Sequence, residues 1–180
     1  MFFECSLYGS VFEISDTFKR ELHYRAFKRE EYIYISDNNE INYLYHQKDK
    51  ITLTKYFNLD KNKQRTCLIR NIERYETKDN LDVIQSFLLS NNFKLVSHIC
   101  YDLVEFVING YFVEFTKEDC RLNMDTANIQ EKEYIKNKEP EEWLVKAFCF
   151  TKNPQEGETI LKTTYEDLCI KFSFDKSIFV

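Results

Sequence analysis

Two pairs of charged residues stand out as groups with a chemistry to perform. Glu105 and Glu114 lie at matching distances on either side of Asn109-Gly110 in LVEFVINGYFVEF, and Arg70 and Arg74 lie four residues apart in LIRNIERY. Carboxylates that hold a divalent metal, with arginines that clamp an anion, are what phosphoryl chemistry requires. Only a hairpin would bring the two glutamates together. Asn-Gly between apolar runs is a strong signal for a type I′ turn, because both central residues need φ > 0. A two-residue loop then sets Ile108 opposite Tyr111, Val107 opposite Phe112, Phe106 opposite Val113, Glu105 opposite Glu114 and Val104 opposite Phe115. Alternation gives one wholly apolar face, with Val104, Phe106, Ile108, Tyr111, Val113 and Phe115. Val107, Phe112 and the two glutamates share the other. Like charges placed opposite each other cost a few tenths of a kcal/mol unless they are solvated or share a cation. The expectation is therefore a solvated or groove-facing pair relieved by water or a partner's lysine, with two plain surface glutamates as an equal alternative.

Other chemistries leave no trace. Three glycines in 180 residues form neither GxxxxGK[ST] nor GxGxxG, and no serine stands in GxSxG. His23, His46 and His98 fall in separate elements without HExxH. Any of them could join a distant cysteine on zinc, but isolated histidines at such spacing read as half-buried side chains, and no metal or cofactor is expected. The six cysteines are scattered without CxxC, the first residues lack a basic n-region, and no run is apolar enough to span a membrane. These features suit a reduced, intracellular protein with thiols in small core positions. A net charge of −5 argues against a general nucleic-acid binder. Basic clusters at Lys19-Arg20, Arg25 and Lys28-Arg29 read as a solvated helix face, and Lys61 to Arg65 as a loop.

The secondary structure that carries these groups follows from periodicity. With 16 Phe and 12 Tyr against 3 Gly and 2 Pro, the composition favours aromatic-faced strands over a glycine-rich cofactor fold. FECSLYGS reads as a first strand. Ile14, Phe18, Leu22 and Ala26 predict a helix, and YIYIS the next strand. INYLYHQ, ITLTKYF and QRTCLIRNIERY read as successive strands joined by short charged loops. Thr77 is the expected N-cap of a second helix with Leu81, Ile84 and Leu88 as its stripe, joined by Val83 and Phe87. After the hairpin, CRLNMDTANIQ extends a strand, QEKEYIKNKEPEE is a charged loop, EEWLVKAFCF is a strand, and a third helix carries Leu161, Tyr165 and Leu168. The whole, 1–180, reads as a single α+β domain. Its core is an antiparallel sheet of about eight to ten strands, curved or closed into a barrel, with three helices.

A tunnel of such strands resembles the tunnel triphosphatases, whose first strand carries ExExK. Here that strand reads Glu4-Cys5-Ser6-Leu7, without the second glutamate or the lysine, so catalysis is not expected. Closer in layout is the family of Mediator complex subunit 18. SLYGSV runs into a helix, Leu68-Ile69-Arg70-Asn71 ends a strand segment, and Asn80-Leu81 opens a short helix. Asn92-Phe93 makes a turn, Asn109-Gly110 a hairpin, and Trp143 to Ala147 a strand before the final helix from Glu158 to Ile170. The chain resembles that family in element order over nearly its whole length.

The resemblance implies a tunnel-triphosphatase-like barrel without the catalytic set, acting as a non-enzymatic structural subunit of the Mediator head module in the nucleus. The implied partners are a subunit 20-like barrel protein, a C-terminal helix from a subunit 8-like protein and RNA polymerase II through the assembled complex. No membrane association and no direct sequence-specific nucleic-acid binding are expected. Glu105, Val107, Phe112 and Glu114 are the candidate partner-binding residues. A divergent metal-dependent tunnel triphosphatase is the alternative.

Overall fold

Aromatic and β-branched residues on a period of two build eight strands in the computed structural model, which describes residues 2–59, 66–108, 110–119 and 142–172. They are β1 (Phe2–Val11), β2 (Tyr24–Ser36), β3 (Ile41–Gln47), β4 (Lys50–Leu59), β5 (Leu68–Thr77), β6 (Phe93–Ile108), β7 (Tyr111–Glu118) and β8 (Trp143–Thr151). Among the described residues three helices accompany them: the six-residue α1 (Asp16–Glu21), α2 (Leu81–Ser90) and α3 (Pro154–Phe172). Every neighbouring pair of strands is antiparallel, and the order β1-β5-β4-β3-β2-β6-β7-β8 returns to β1. The sheet is thus a closed barrel in which each of the eight strands has two neighbours. The strand expected in CRLNMDTANIQ, the charged loop after it, and the basic cluster Lys61 to Arg65 lie outside the described residues.

The hairpin register is the one its turn dictates: Ile108 pairs with Tyr111, Glu105 with Glu114 and Val104 with Phe115, and Gly110 has φ +91°. Its apolar face points out of the barrel, into a layer covered by α3. Phe106, Val113 and Phe115 are fully buried there with Ala147, Leu161 and Leu168. Burying a valine, leucine or phenylalanine side chain stabilises by about 2 kcal/mol. Helix α3 begins where Asn153 Oδ1 accepts from Gln155 N at 3.0 Å, with Pro154 at its first position, where a missing N–H costs nothing. Gly157 lets the helix settle on β1, because a Cβ there would stand 2.4 Å from Cys5 Sγ. A smaller outer cluster of Tyr32, Tyr34, Leu44 and Ile51 lies under Leu88 of α2.

Three local expectations are corrected. The first helix stops at Glu21, and Tyr24 to Arg29 belong to β2, not to a helix carrying Leu22 and Ala26. The 16-residue β6 provides a ladder partner for all of β2, from Tyr24 opposite Phe106 to Ser36 opposite Phe93, and this pairing outweighs the local period of four. The cap of α2 is Asn80, whose Oδ1 accepts from Asp82 N, while Thr77 ends β5 and its Oγ1 accepts from Asp79 N. Leu88 is buried as expected, but Val83 and Phe87 are each 59% exposed. No described helix is long and apolar enough to cross a membrane.

A charged tunnel as the candidate functional site

Alternation dictates what fills the barrel. Val113 and Phe115 face outward into the dry layer, so Glu114 between them must face inward, and the same holds around the ring. The inward set lines a cavity of about 500 Å³ with six cations (Arg25, Arg29, Lys50, Arg70, Arg74 and Lys146) and four carboxylates (Glu4, Glu31, Glu105 and Glu114). A protein with an overall charge of −5 therefore has a tunnel whose described lining carries a cationic excess.

Three of the carboxylates are held by cations of the same chain. Lys146 Nζ lies 2.8 Å from Glu4 Oε1, and Tyr56 OH donates to Glu4 Oε2 at 3.2 Å. Arg29 Nη1 donates to Glu114 Oε2 at 3.1 Å, and Arg25 pairs with Glu105. The glutamates of the hairpin thus face the tunnel, and two arginines of β2 relieve their repulsion. Arginine and lysine also lie over aromatic rings: Arg29 is 5.0 Å from the Tyr45 ring centre, Arg70 5.5 Å from Tyr56, Arg74 5.0 Å from Phe150 and Lys146 4.5 Å from Phe148. Such contacts hold a guanidinium or ammonium where water is scarce.

The tunnel shifts its own ionisations. Burial opposes the charge on Lys146, but Glu4 and its neighbours outweigh this and hold the ammonium above its ordinary pKa. Burial likewise opposes the charge on Arg29, and Glu114, Tyr45 and Glu31 together outweigh it. Glu31 is raised by burial, against the opposing pull of Arg29 and Lys146. Burial also pushes Tyr56 up to about 12 and Tyr45 well above its usual value. Lys146 and Arg29 are thereby held charged, and Tyr45 and Tyr56 neutral.

Of the residues singled out in the sequence, Arg70, Arg74, Glu105 and Glu114 come together in this one cavity. Phe112 shares their face and stacks on Phe148, with ring centres 5.2 Å apart. Val107 is 51% exposed and is the one member of the candidate partner set with an open surface. Sequence reasoning missed Arg25 and Arg29 by reading them as helical, although Arg25, Arg29 and Glu31 fall on one strand face. It also missed Lys146, the lone charge within WLVKAFCF. On β1 the inward positions of an ExExK strand are Glu4, Ser6 and Tyr8. Ser6 Oγ is buried with no hydrogen-bond partner, and Tyr8 pairs with Lys146 across the ladder. An ammonium therefore reaches Glu4 from β8 instead of β1.

Comparison with known proteins places this architecture. No family model matches the chain, and no curated protein matches it in sequence. The solved structures do match. A chain of the Schizosaccharomyces pombe Mediator head module has a TM-score of 0.70 at 12% identity, covering 93% of this chain and 95% of that one. A putative adenylate cyclase from Vibrio parahaemolyticus has a TM-score of 0.67 at 10% identity, covering 99% and 92%. A putative adenylyl cyclase from Hippeastrum, described as having a dominant triphosphatase activity, has a TM-score of 0.52 at 10% identity, covering 95% and 88%. What is shared is the fold.

Proposed function

We propose that this chain is a non-enzymatic structural subunit of a Mediator-like head module, working in the nucleus. In this reading it pairs with a related barrel subunit, receives a helix from a third protein and reaches RNA polymerase II through the assembly. The observation that carries the non-enzymatic part is the pairing of Glu4, Glu105 and Glu114 with Lys146, Arg25 and Arg29. A carboxylate already neutralised by a fixed cation is a poor ligand for a divalent metal, and phosphoryl transfer in such a tunnel needs several free ones. The order and spacing of the motifs that resemble Mediator subunit 18 support the partner assignment. The test is affinity purification of the tagged protein from its own cells. Recovery with head-module chains and polymerase is expected; recovery alone, or with capping or nucleotide enzymes, sinks the reading.

One observation favours a second reading. Six cations against four carboxylates suit an anionic ligand in the tunnel, as a divergent triphosphatase would require. Manganese-dependent release of phosphate from a nucleoside triphosphate, lost in Glu105→Ala, would establish it.

A further inference from the structure

We propose that Glu30, His98 and Cys100 form a zinc site on the outer wall of the barrel, away from the tunnel. Strands β2 and β6 make it. Glu30 pairs directly with Cys100, and Tyr32 with His98, so the side chains of 30, 98 and 100 leave the sheet on one face. That face is the outer one, because the intervening Arg29, Glu31 and Tyr101 line the tunnel. One ligand atom from each residue lies within 4.8 Å of the other two. His98 Nε2 and Cys100 Sγ are 3.8 Å apart. Tetrahedral zinc with Zn–N near 2.0 Å and Zn–S near 2.3 Å calls for a separation of about 3.5 Å, so the His98–Cys100 pair needs only a small side-chain adjustment and a rotation of Glu30 completes the set.

The surroundings hold the ligands in place. The His98 ring stacks on Tyr32, with centres 4.1 Å apart and planes 6° from parallel. Tyr32 OH donates to Glu30 Oε2 at 2.7 Å, and His46 Nδ1 lies 3.2 Å from the same oxygen. Oriented carboxylates and clamped imidazoles of this kind surround metal ligands and tune their affinity. Cys100 is 4% exposed, whereas His98 is open to solvent, which leaves a fourth position for water. A thiolate, an imidazole and a carboxylate form a borderline-soft set that suits zinc and not magnesium or calcium.

The test uses the full-length chain, reduced and stripped of metal, titrated with cobalt(II) as a spectroscopic stand-in for zinc. One equivalent should give the visible bands of tetrahedral cobalt and a sulfur-to-cobalt charge-transfer band, both bleached by zinc. Cys100→Ser should lose the charge-transfer band. His98→Ala, at an exposed position and checked for an unchanged urea midpoint, should weaken cobalt binding at least about tenfold. Absence of the bands in the parent protein overturns the site. So does their persistence, at unchanged affinity, in His98→Ala, which would point to thiols elsewhere such as Cys5, Cys67 or Cys149.

Discussion

The wall of the barrel separates two interiors built on opposite principles. Outside it, under α3, Phe106, Val113, Phe115, Ala147, Leu161 and Leu168 form an apolar layer. Inside it, ammonium, guanidinium and carboxylate groups face one another across a cavity. The two are one residue apart along a strand: Phe115 faces the dry layer and Glu114 the tunnel. Apolar packing and charge are thereby assigned to opposite faces of the same strands. The dry face carries the hydrophobic gain, while the charged face gains little net stability and sets the chemistry of whatever enters.

Damage to the dry layer should be the most costly. Phe115→Ala removes a fully buried ring and leaves a cavity that the closed sheet cannot collapse, at a cost of about 4 kcal/mol. Urea unfolding should show the midpoint falling with an unchanged slope; a loss below about 1 kcal/mol would mean that this layer is not the core.

Next comes the tunnel. Lys146→Met leaves the Glu4 carboxylate buried without its cation and should cost about 3 kcal/mol. The double variant Glu4→Gln with Lys146→Met should recover most of that loss, because the penalty comes from an uncompensated charge and not from a missing attraction. Equal losses in the single and double variants would contradict that account. Stability should also depend on alkaline pH through Lys146. Its pKa is raised in the folded state, so its contribution is fully present below the ordinary value of 10.5 and is lost as the pH rises through the folded value. A pH titration of the urea midpoint checks this: the alkaline loss should be smaller in Lys146→Met, with the remainder carried by buried phenols such as Tyr45 and Tyr56. A third change probes the contact between helix and barrel. Gly157→Ala forces a Cβ against Cys5 Sγ and Thr151 Cγ2 and should cost roughly 2 kcal/mol in the same urea measurement.

How much of this was legible in the sequence follows the same division. The hairpin could be read to the residue because a two-residue turn fixes its register, and the dry face followed from alternation. Arg70 and Arg74 share one face for the same reason. Arg25 and Arg29 were not legible, because Ile14, Phe18, Leu22 and Ala26 mimic a helical stripe. The partner that overrides it is β6, and Glu105, which Arg25 meets there, lies 80 residues away in the chain. The ion pairs were also out of reach. Alternation says that Glu114 leaves the sheet on the tunnel side, but only the order β2-β6-β7, with β2 and β7 on either side of β6, brings Arg29 to it. The convergence of His98, Cys100 and Glu30 depends on the same β2–β6 ladder.

A change of one charge, with little effect on packing, tests the tunnel's electrostatics most directly. Glu31 faces the cavity with a pKa raised by burial, despite the opposing influence of Arg29 and Lys146. A raised folded-state value means that the carboxyl favours folding while protonated. That contribution is complete below the ordinary value of 4.5 and is lost as the pH rises through the folded value. At neutral pH the ionised group is therefore a net burden. Glu31→Gln keeps the shape and removes the charge, so it should raise the thermal midpoint slightly at pH 7 and leave it unchanged at a pH well below 4.5. If Glu31→Gln lowers the midpoint at pH 7, Arg29 and Lys146 outweigh the burial, and all four carboxylates of the described lining belong to one neutralised network.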